Sequence, residues 1–178
     1  MTNSTESITG IIGKRFSCRT YLDRPLAAEA RERLLDFVGT LTVGPLGSPA
    51  RFHLIATADE DRDSLRGLGT CGFIKGARAF LVGAAPPAPK NLEDYGYLME
   101  RLVLLATELD LGTCWLGGTF TRSGFAQKIQ AAPDEIIPAV SPVGYIADPA
   151  RARNSELRRR VGSDHRLAWE QMFFQGTA

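Results

Sequence analysis

The sequence contains few cysteines and histidines, and their spacing excludes most metal and disulfide chemistry. Three cysteines occur in 178 residues, at positions 18, 71 and 114, and the two histidines are His53 and His165. Three scattered cysteines do not form a paired disulfide framework, and no CxxC or Cys/His group has the spacing of a zinc site. Free cysteine is most often a small buried residue, so we expect no metal site and no nucleophilic thiol.

Long apolar runs and an excess of either charge are also missing. The net charge is +1, so no global field favours nucleic acid or an anionic membrane. No apolar run approaches the ~20 residues of a membrane-spanning helix. The opening residues, MTNSTESITG, are polar and include Glu6, unlike a secretory signal or a transit peptide. We therefore expect a cytoplasmic protein that binds neither nucleic acid nor membrane, with the arginine-rich residues 151–166 as a solvated surface.

No familiar set of catalytic side chains is recognisable in the sequence. It shows no Ser-His-Asp arrangement, no Cys-His pair and no cluster of carboxylates. The composition is otherwise that of an ordinary globular protein, with 44% hydrophobic and 23% charged residues. This length is enough to bury a sizeable core, so we expect one domain over residues 1–178.

The stretch around which the rest is organised is residues 91–120, NLEDYGYLMERLVLLATELDLGTCWLGGTF. Its apolar residues recur at helical spacing and widen into a nearly continuous surface, which predicts a helix over residues 91–109 that is buried on most sides. Asn91 is the expected cap of this helix. Asp94 is expected to place an acid in the positive first turn.

The end of the same stretch predicts a short strand followed by a glycine pair. Gly112 is a plausible left-handed stop for the helix, and residues 113–116 favour a strand. Gly117 and Gly118 then indicate either a plain turn or a place where the backbone approaches a flat or charged group closely.

A second notable pattern is Arg15-x-Ser17-x-Arg19 near the start of the chain. In an extended segment alternate residues share a face, so two guanidinium groups and a hydroxyl would point the same way. Arginine binds phosphate and carboxylate groups bidentately, which makes this face a candidate anion site. The alternative is a solvated polar face, and the short pattern alone leaves both open.

The remaining periodicities predict further helices and strands. Helices are expected over residues 25–41 and 121–131, the second capped by Thr121. Residues 51–58 alternate like a strand, and the almost entirely apolar residues 77–85 favour a central strand. Residues 136–146 are also β-like but contain two prolines, which predicts an edge or irregular strand.

Several of these segments resemble, in order, the nitroreductase-like superfamily of FMN-dependent flavoproteins, and most closely its short-chain subgroup. The similar segments are LGTCWLGGTF at 111–120, RFSCRTY at 15–21, GTCGFIKGA at 69–77, SPVGY at 141–145 and HRLAWE at 165–170. The resemblance implies an α+β sandwich in which helices surround a mixed, mainly antiparallel sheet. It also implies a homodimer with flavin at its interface. The apolar ending, with Trp169, Met172, Phe173 and Phe174, is compatible with a dimer, or with core packing inside one chain.

The resemblance further implies an FMN-dependent oxidoreductase. NAD(P)H would deliver hydride to the flavin, which would pass two electrons to a nitroaromatic, a quinone or a similar acceptor. Because the cofactor carries this chemistry, no catalytic side chain is expected. Two alternatives remain open: a flavin carrier or sensor without turnover, and a flavin-dependent dehalogenase or destructase.

The resemblance also assigns the cofactor-binding residues. Arg19 is the first candidate for the cation beside the flavin ring, Lys75 is a weaker second that is more commonly a solvated turn lysine, and the Gly118 N–H is the expected donor near the other edge. This chain lacks the Asn-x-Gln-Pro-Trp segment of many relatives, and Arg51 or Ser48 could replace its contacts. The expected site residues are Arg15, Phe16, Ser17, Arg19, Leu116, Gly117, Gly118 and Arg166.

Overall fold

The structure, a computed structural model, describes residues 6–57, 65–153, 155–162, 165 and 167–172. Helices pack against a four-stranded sheet with the strand order β1-β2-β4-β3. The strands are β1 Arg51–Ala56, β2 Ala79–Ala84, β3 Leu111–Thr113 and β4 Val140–Tyr145. The helices are α1 Ile8–Lys14, α2 Ala28–Thr40, α3 Asn91–Glu108, α4 Arg122–Lys128, α5 Pro149–Arg153, α6 Glu156–Arg160 and α7 Trp169–Met172.

The sheet is antiparallel throughout its four strands, and β2 lies at its centre. β2 pairs with β1 on one side and with β4 on the other, and all six of its residues are buried. Alternate β2 residues enter two hydrophobic clusters: Leu81 packs in the cluster that includes α3, and Phe80 and Val82 pack in the cluster that includes Phe125 of α4. The prediction of a central apolar strand is therefore confirmed.

β4 lies inside the sheet, which contradicts the predicted alternative of an edge strand. The gap in its pairing with β3 around Pro142 agrees with the other alternative, an irregular strand. The Val140 N–H donates to the Leu116 carbonyl at 3.0 Å, so even-numbered residues of β4 direct their N–H groups toward the β3 side. β3 pairs with β4 only from Val143 onward. The nitrogen of Pro142 therefore lies where no strand ladder needs a donor, and proline is accommodated inside the sheet.

Helix α3 follows the prediction closely in extent and burial. It covers Asn91–Glu108, and seven of its residues are buried, including Tyr95, Leu98 and Leu102. The Tyr95 hydroxyl donates to the Ala139 carbonyl at 2.5 Å, which connects the helix to the segment that enters β4. The predicted helix therefore forms one side of the larger hydrophobic cluster.

The start of α3 differs from the prediction. The cap residue is Lys90, in a left-handed conformation with φ 62°, whereas Asn91 donates its side-chain N–H to the Pro86 carbonyl. Asp94 is fully buried, and its two carboxylate oxygens accept the N–H groups of Leu46 at 2.8 Å and Ser48 at 2.7 Å. Asp94 thus fastens the loop that precedes β1 to the helix.

Gly112 does not end α3, contrary to the prediction. The left-handed residue is Asp110, with φ 56°, and Gly112 lies inside β3. A Cβ atom at position 112 would lie 2.7 Å from Cγ1 of Ile146 and 2.8 Å from Cβ of Cys18. Glycine is required here because two neighbouring segments approach the backbone closely.

The other boundaries shift by a few residues. Helix α2 begins at Ala28 rather than at residue 25, because the chain before it is held against β4: Arg24 lies 3.8 Å from the Tyr145 ring centroid, and the Ala27 N–H donates to the Tyr145 hydroxyl. Thr121 precedes α4 without a side-chain capping bond. The strands predicted at 51–58 and 77–85 are observed as β1 and β2. The strand predicted at 113–116 overlaps β3 only at Thr113, and Leu116 forms an isolated bridge with Val140.

The segment after α1 makes the sheet mixed. Isolated parallel bridges pair Ser17 with Thr113 and Thr20 with Lys75, and an antiparallel bridge pairs Tyr21 with Ile146. These bridges place the Arg15–Arg19 pattern along β3, which the sequence does not reveal. The predicted α+β class with a mixed, mainly antiparallel sheet is confirmed. None of the helices in the described part of the chain is sufficiently long and apolar to cross a bilayer.

Candidate functional site

The Arg15-x-Ser17-x-Arg19 pattern lies in an extended segment, as predicted. Cys18 is completely buried, whereas Arg15, Ser17 and Arg19 on the alternate positions are half-buried. The Cys18 N–H donates to the Thr113 carbonyl at 2.8 Å, which fixes the segment beside β3. The backbone therefore aims the two arginines and the serine away from the core.

Ser17 and Arg19 line a cavity of about 910 Å³. Its wall includes Ser17, Arg19, Thr20 and Lys75 from the sheet side. Seven residues from the connection after β4 complete the wall: Ala147, Asp148, Ala150, Arg151, Ala152, Ser155 and Glu156. The volume lies near the upper end of the ~300–1,000 Å³ range that small-molecule and cofactor sites occupy. This cavity is the candidate site.

Lys75 joins Arg19 through the backbone. The Lys75 N–H donates to the Arg19 carbonyl at 2.9 Å, and the Tyr21 N–H donates to the Lys75 carbonyl at 2.8 Å. Gly76 has φ 76°, and a Cβ atom there would lie 2.2 Å from the Tyr21 carbonyl oxygen. A glycine at position 76 therefore permits the pairing that brings Lys75 to the cavity beside Arg19.

The lining of the cavity carries an excess of unpaired positive charge. Arg19, Lys75 and Arg151 line it, and within the part of the chain that the structure describes their side chains form no ion pair. The acids of the lining have partners: Asp148 accepts the Arg151 backbone N–H at 2.9 Å, and Glu156 pairs with Arg160 at 2.5 Å. The donor set suits an anionic ligand.

Arg15 and Phe16 line a second, smaller cavity of about 230 Å³. Arg153 lies 4.3 Å from the Phe16 ring centroid, and the Arg15 guanidinium lies 3.4 Å from Glu100. Glu100 also accepts the indole N–H of Trp115 at 2.8 Å. One carboxylate thus links the N-terminal arginine to the residue that precedes the Leu116–Gly118 segment.

The Cys114 thiol lies beneath the Arg15–Arg19 segment. Burial raises its pKa, and the charge of Arg19, a hydrogen bond with Ser17 and the charge of Arg15 act in the opposite direction. Arg15, Ser17 and Arg19 therefore all lower the pKa of the same buried thiol, although they line two different cavities. Burial is the largest of these effects and keeps the pKa of the Cys114 thiol above its ordinary value.

The three residues that were expected to contact the flavin ring differ in their exposure to solvent. Leu116 is a buried core residue, and its N–H and carbonyl both bond with Val140. Gly117 and Gly118 are exposed, and a Cβ atom at either position would meet no atom within 4 Å. The glycine pair therefore presents open backbone, but it does not line the large cavity within one chain.

Three other expected residues lie apart from the cavity or outside the described chain. Arg166 lies outside the described residues. Arg51 pairs bidentately with Glu135, at 2.8 and 2.7 Å, and also bonds to His53. Ser48 is buried, and its hydroxyl donates to the Pro89 carbonyl. Arg51 and Ser48 thus have structural partners.

Sequence reasoning ranked Lys75 below Arg19 and did not include Arg151. A lysine in a turn and an arginine in a basic tail have no distinguishing local signal, because their positions depend on pairing between distant segments. Among the described residues, no group of three or more histidine, cysteine or acidic side chains could hold a metal ion.

Several solved structures share this fold over nearly the whole chain. A nitroreductase family protein from Clostridium difficile 630 is 17% identical, with 98% of this chain and 100% of that chain covered and a TM-score of 0.68. The FMN and NADPH-dependent nitroreductase NfnB from Sphigopyxis sp. strain HMH is 14% identical (97% and 100% covered, TM-score 0.68). A putative nitroreductase in complex with FMN from Desulfovibrio desulfuricans is 21% identical (98% and 99% covered, TM-score 0.66).

These identities establish the fold rather than the activity, and no curated protein matches the sequence. Family assignment comes from a separate comparison at the level of the sequence. Residues 7–170, which include nearly all of the described elements, match the family described as "Putative TM nitroreductase". The chain therefore belongs to this nitroreductase family, as the order of its sequence motifs predicts.

Proposed function

We propose that the protein is an FMN-dependent NAD(P)H oxidoreductase that reduces nitroaromatic, quinone or similar acceptors by two-electron transfer. The observation that carries the proposal is a cavity of cofactor size in a chain of the nitroreductase family. Ser17, Arg19 and Lys75 line it, and the two cationic side chains form no ion pair with the residues that the structure describes. The likeness to NfnB, an FMN and NADPH-dependent enzyme, and to the Desulfovibrio protein in complex with FMN supports the proposal.

The donor set of the cavity suits FMN. Its phosphate is a dianion, and the ring gains negative charge on reduction, so both ends of the cofactor prefer cations nearby. The Ser17 hydroxyl and the Arg19 guanidinium supply donors on one extended strand, and Lys75 adds a second cation that the backbone fixes beside Arg19. Bound FMN would supply hydride and electron transfer between NAD(P)H and the acceptor.

The protein's own residues would bind and orient the FMN cofactor. Arg15, Phe16, Ser17, Arg19 and Arg166 are proposed to hold the phosphate and ribityl end. Arg19 and Lys75 raise the local positive potential, which favours the more negative, reduced state of a bound redox group. No side chain needs to act as nucleophile, acid or base.

The glycine pair is proposed to contact the ring edge, with the Gly118 N–H as donor. In one chain this loop is exposed and lies away from the large cavity, which fits a site completed by a second subunit. Large apolar side chains at positions 8, 12, 167, 169 and 172 are between 46% and 68% exposed, which supports a homodimer. We further propose that residues 1–178 form one FMN-binding domain and that the enzyme is cytoplasmic.

Steady-state kinetics test the proposal directly. The FMN-loaded protein should oxidise NADH or NADPH several-fold faster when a nitroaromatic or a quinone is added. If it binds FMN but oxidises neither nicotinamide with either acceptor, it is a flavin carrier rather than an enzyme. An Arg24→Gln variant is a suitable control, because Arg24 stacks on Tyr145 and does not line the cavity.

A further inference from the structure

The positively charged residues that line the large cavity come from more than one part of the chain. Arg19 and Lys75 belong to the paired segments beside β3, whereas Arg151 comes from α5, which follows β4. Arg151 therefore adds a cation from an independent part of the chain. Its guanidinium has no partner within the described residues.

The backbone holds Arg151 at the cavity. The Asp148 carboxylate accepts the Arg151 N–H at 2.9 Å, and the Ala152 N–H donates to the Asp148 carbonyl, which fixes the first turn of α5. Arg153, two residues further along the same helix, donates to the Lys14 carbonyl at 3.0 Å, and its guanidinium lies over the Phe16 ring. These contacts anchor α5 to the N-terminal segment that supplies Ser17 and Arg19.

The neighbouring acids do not neutralise the Arg151 side chain. Asp148 uses a carboxylate oxygen to bind backbone rather than a guanidinium, and Glu156 pairs with Arg160. Arg160 does not line the cavity, whereas Arg151 does. Arg151 thus lies on the cavity wall with two further cations, Arg19 and Lys75, and none of the three forms an ion pair with a described residue. Such an arginine is suited to a dianionic group that it can bind bidentately.

We propose that Arg151 is a specificity-determining residue that binds a phosphate monoester in this cavity. The inference rests on the proposed function, which brings two such groups to the site: the terminal phosphate of FMN and the 2′-phosphate of NADPH. Both are dianions of the same chemistry, and a guanidinium recognises either. Riboflavin lacks the first phosphate and NADH lacks the second.

The test compares each ligand with its counterpart that lacks the phosphate. For Arg151→Gln and wild type, the dissociation constants of FMN and riboflavin are measured on the apoprotein, and those of NADP⁺ and NAD⁺ on the FMN-loaded protein. Arg159→Gln is the matched control, because Arg159 is also an exposed arginine of the short C-terminal helices but does not line the cavity.

Loss of one charge-assisted hydrogen bond should weaken binding of the phosphate-bearing ligand about tenfold. If Arg151 binds FMN, the preference for FMN over riboflavin falls about tenfold in Arg151→Gln. If it binds the nicotinamide nucleotide, the preference for NADP⁺ over NAD⁺ falls instead. Arg151→Lys should recover part of either preference.

The inference is overturned if both preferences stay within twofold of wild type, or if Arg159→Gln lowers them equally. Those results differ from a failure of the proposed function, in which the wild-type protein itself binds neither FMN nor riboflavin. Circular dichroism of each variant checks that the fold is retained.

Discussion

A substitution at Gly118 can test the proposed ligand contact without disturbing the packing of the protein itself. The Gly118 backbone has no positive φ that would disfavour a side chain, and a Cβ atom there meets nothing within 4 Å. The chain itself therefore tolerates a side chain at this position. Only a group that approaches the backbone from outside would be obstructed.

We expect Gly118→Val to fold normally and to bind FMN at least tenfold more weakly, because the branched side chain separates the ligand from the Gly118 N–H by more than hydrogen-bond distance. Thermal unfolding and FMN titration measure the two effects. Gly39→Val, at another exposed glycine with open space, is the control. Unchanged FMN affinity in Gly118→Val would remove the glycine pair from the site.

The surroundings of His53 are expected to make the stability of the fold depend on pH. Burial lowers its pKa, and the charge of Arg51 lowers it further, while Glu135 opposes the shift. The Nε2 atom of His53 lies 2.6 Å from the Arg51 guanidinium, an arrangement that requires neutral imidazole. Because the folded-state pKa is below the unfolded value of about 6.5, the unfolded chain binds the proton first as pH falls.

Stability is therefore expected to decrease as pH falls below about 6.5, and to be retained above it. Urea unfolding between pH 5 and pH 8 measures this slope. His53→Gln, which keeps an acceptor for Arg51 without a titrating ring, should show a flatter profile over the same range. Identical profiles for the variant and wild type would exclude His53 as the source.

At the scale of elements, local periodicity was sufficient for helices and strands whose burial follows directly from their own pattern. Helix α3 and strand β2 have long or nearly uniform apolar patterns, and both occur where they were expected. The strand β4 was expected to be an edge strand or an irregular strand because of Pro138 and Pro142. Its interior position depends on the short length of β3, which local sequence does not encode.

The candidate site was predictable only where it depends on local alternation in the sequence. The alternation around Ser17 predicted a shared polar face, and the structure shows Ser17 and Arg19 on one cavity. Lys75 and Arg151 reach that cavity through pairing of the 19–21 segment with residue 75 and through the path of the chain after β4. Contacts between such distant segments leave no periodic signal in the sequence.

Asp94 makes an element-scale contact that the sequence pattern of the helix does not reveal. The residue lies in the first turn of α3, as expected, and its buried carboxylate also accepts two N–H groups of the loop before β1. Asp94→Ala would leave both donors without a partner. An unsatisfied buried donor costs roughly 1–3 kcal/mol.

We therefore expect Asp94→Ala to lower the free energy of unfolding by about 3 kcal/mol. Chemical denaturation measures the change. Glu93→Ala, which removes the adjacent exposed acid of the same turn, should leave the free energy of unfolding almost unchanged. Equal effects of the two substitutions would show that helix-dipole electrostatics, rather than the loop contact, accounts for the role of Asp94.

At the scale of the whole molecule, the exposed apolar residues of α1 and of the C-terminal segment require explanation. Ile8 and Ile12 are 57% and 55% exposed, and Trp169 is 68% exposed. Within the described residues, Trp169 and Met172 do not pack into the core, which weakens the alternative of core packing inside one chain. A second copy of the chain would cover such side chains.

Light scattering at micromolar concentration is expected to give a mass about twice the 19.4 kDa of one chain. Removal of residues 169–178 should shift the protein toward the monomer, because it deletes the exposed Trp169 and Met172. Leu46→Ser, at an exposed leucine in the loop before β1, should not. A monomeric wild-type protein with unchanged mass after truncation contradicts the dimer.

The most direct test of the central claim is the absorption spectrum of the purified protein, recorded before and after anaerobic addition of NADH and NADPH. The proposed function predicts flavin absorption bands, either as purified or after incubation with FMN, that bleach with at least one of the two nicotinamides. Absence of bound flavin even after incubation with FMN would contradict the claim that this nitroreductase-family chain is an FMN-dependent oxidoreductase.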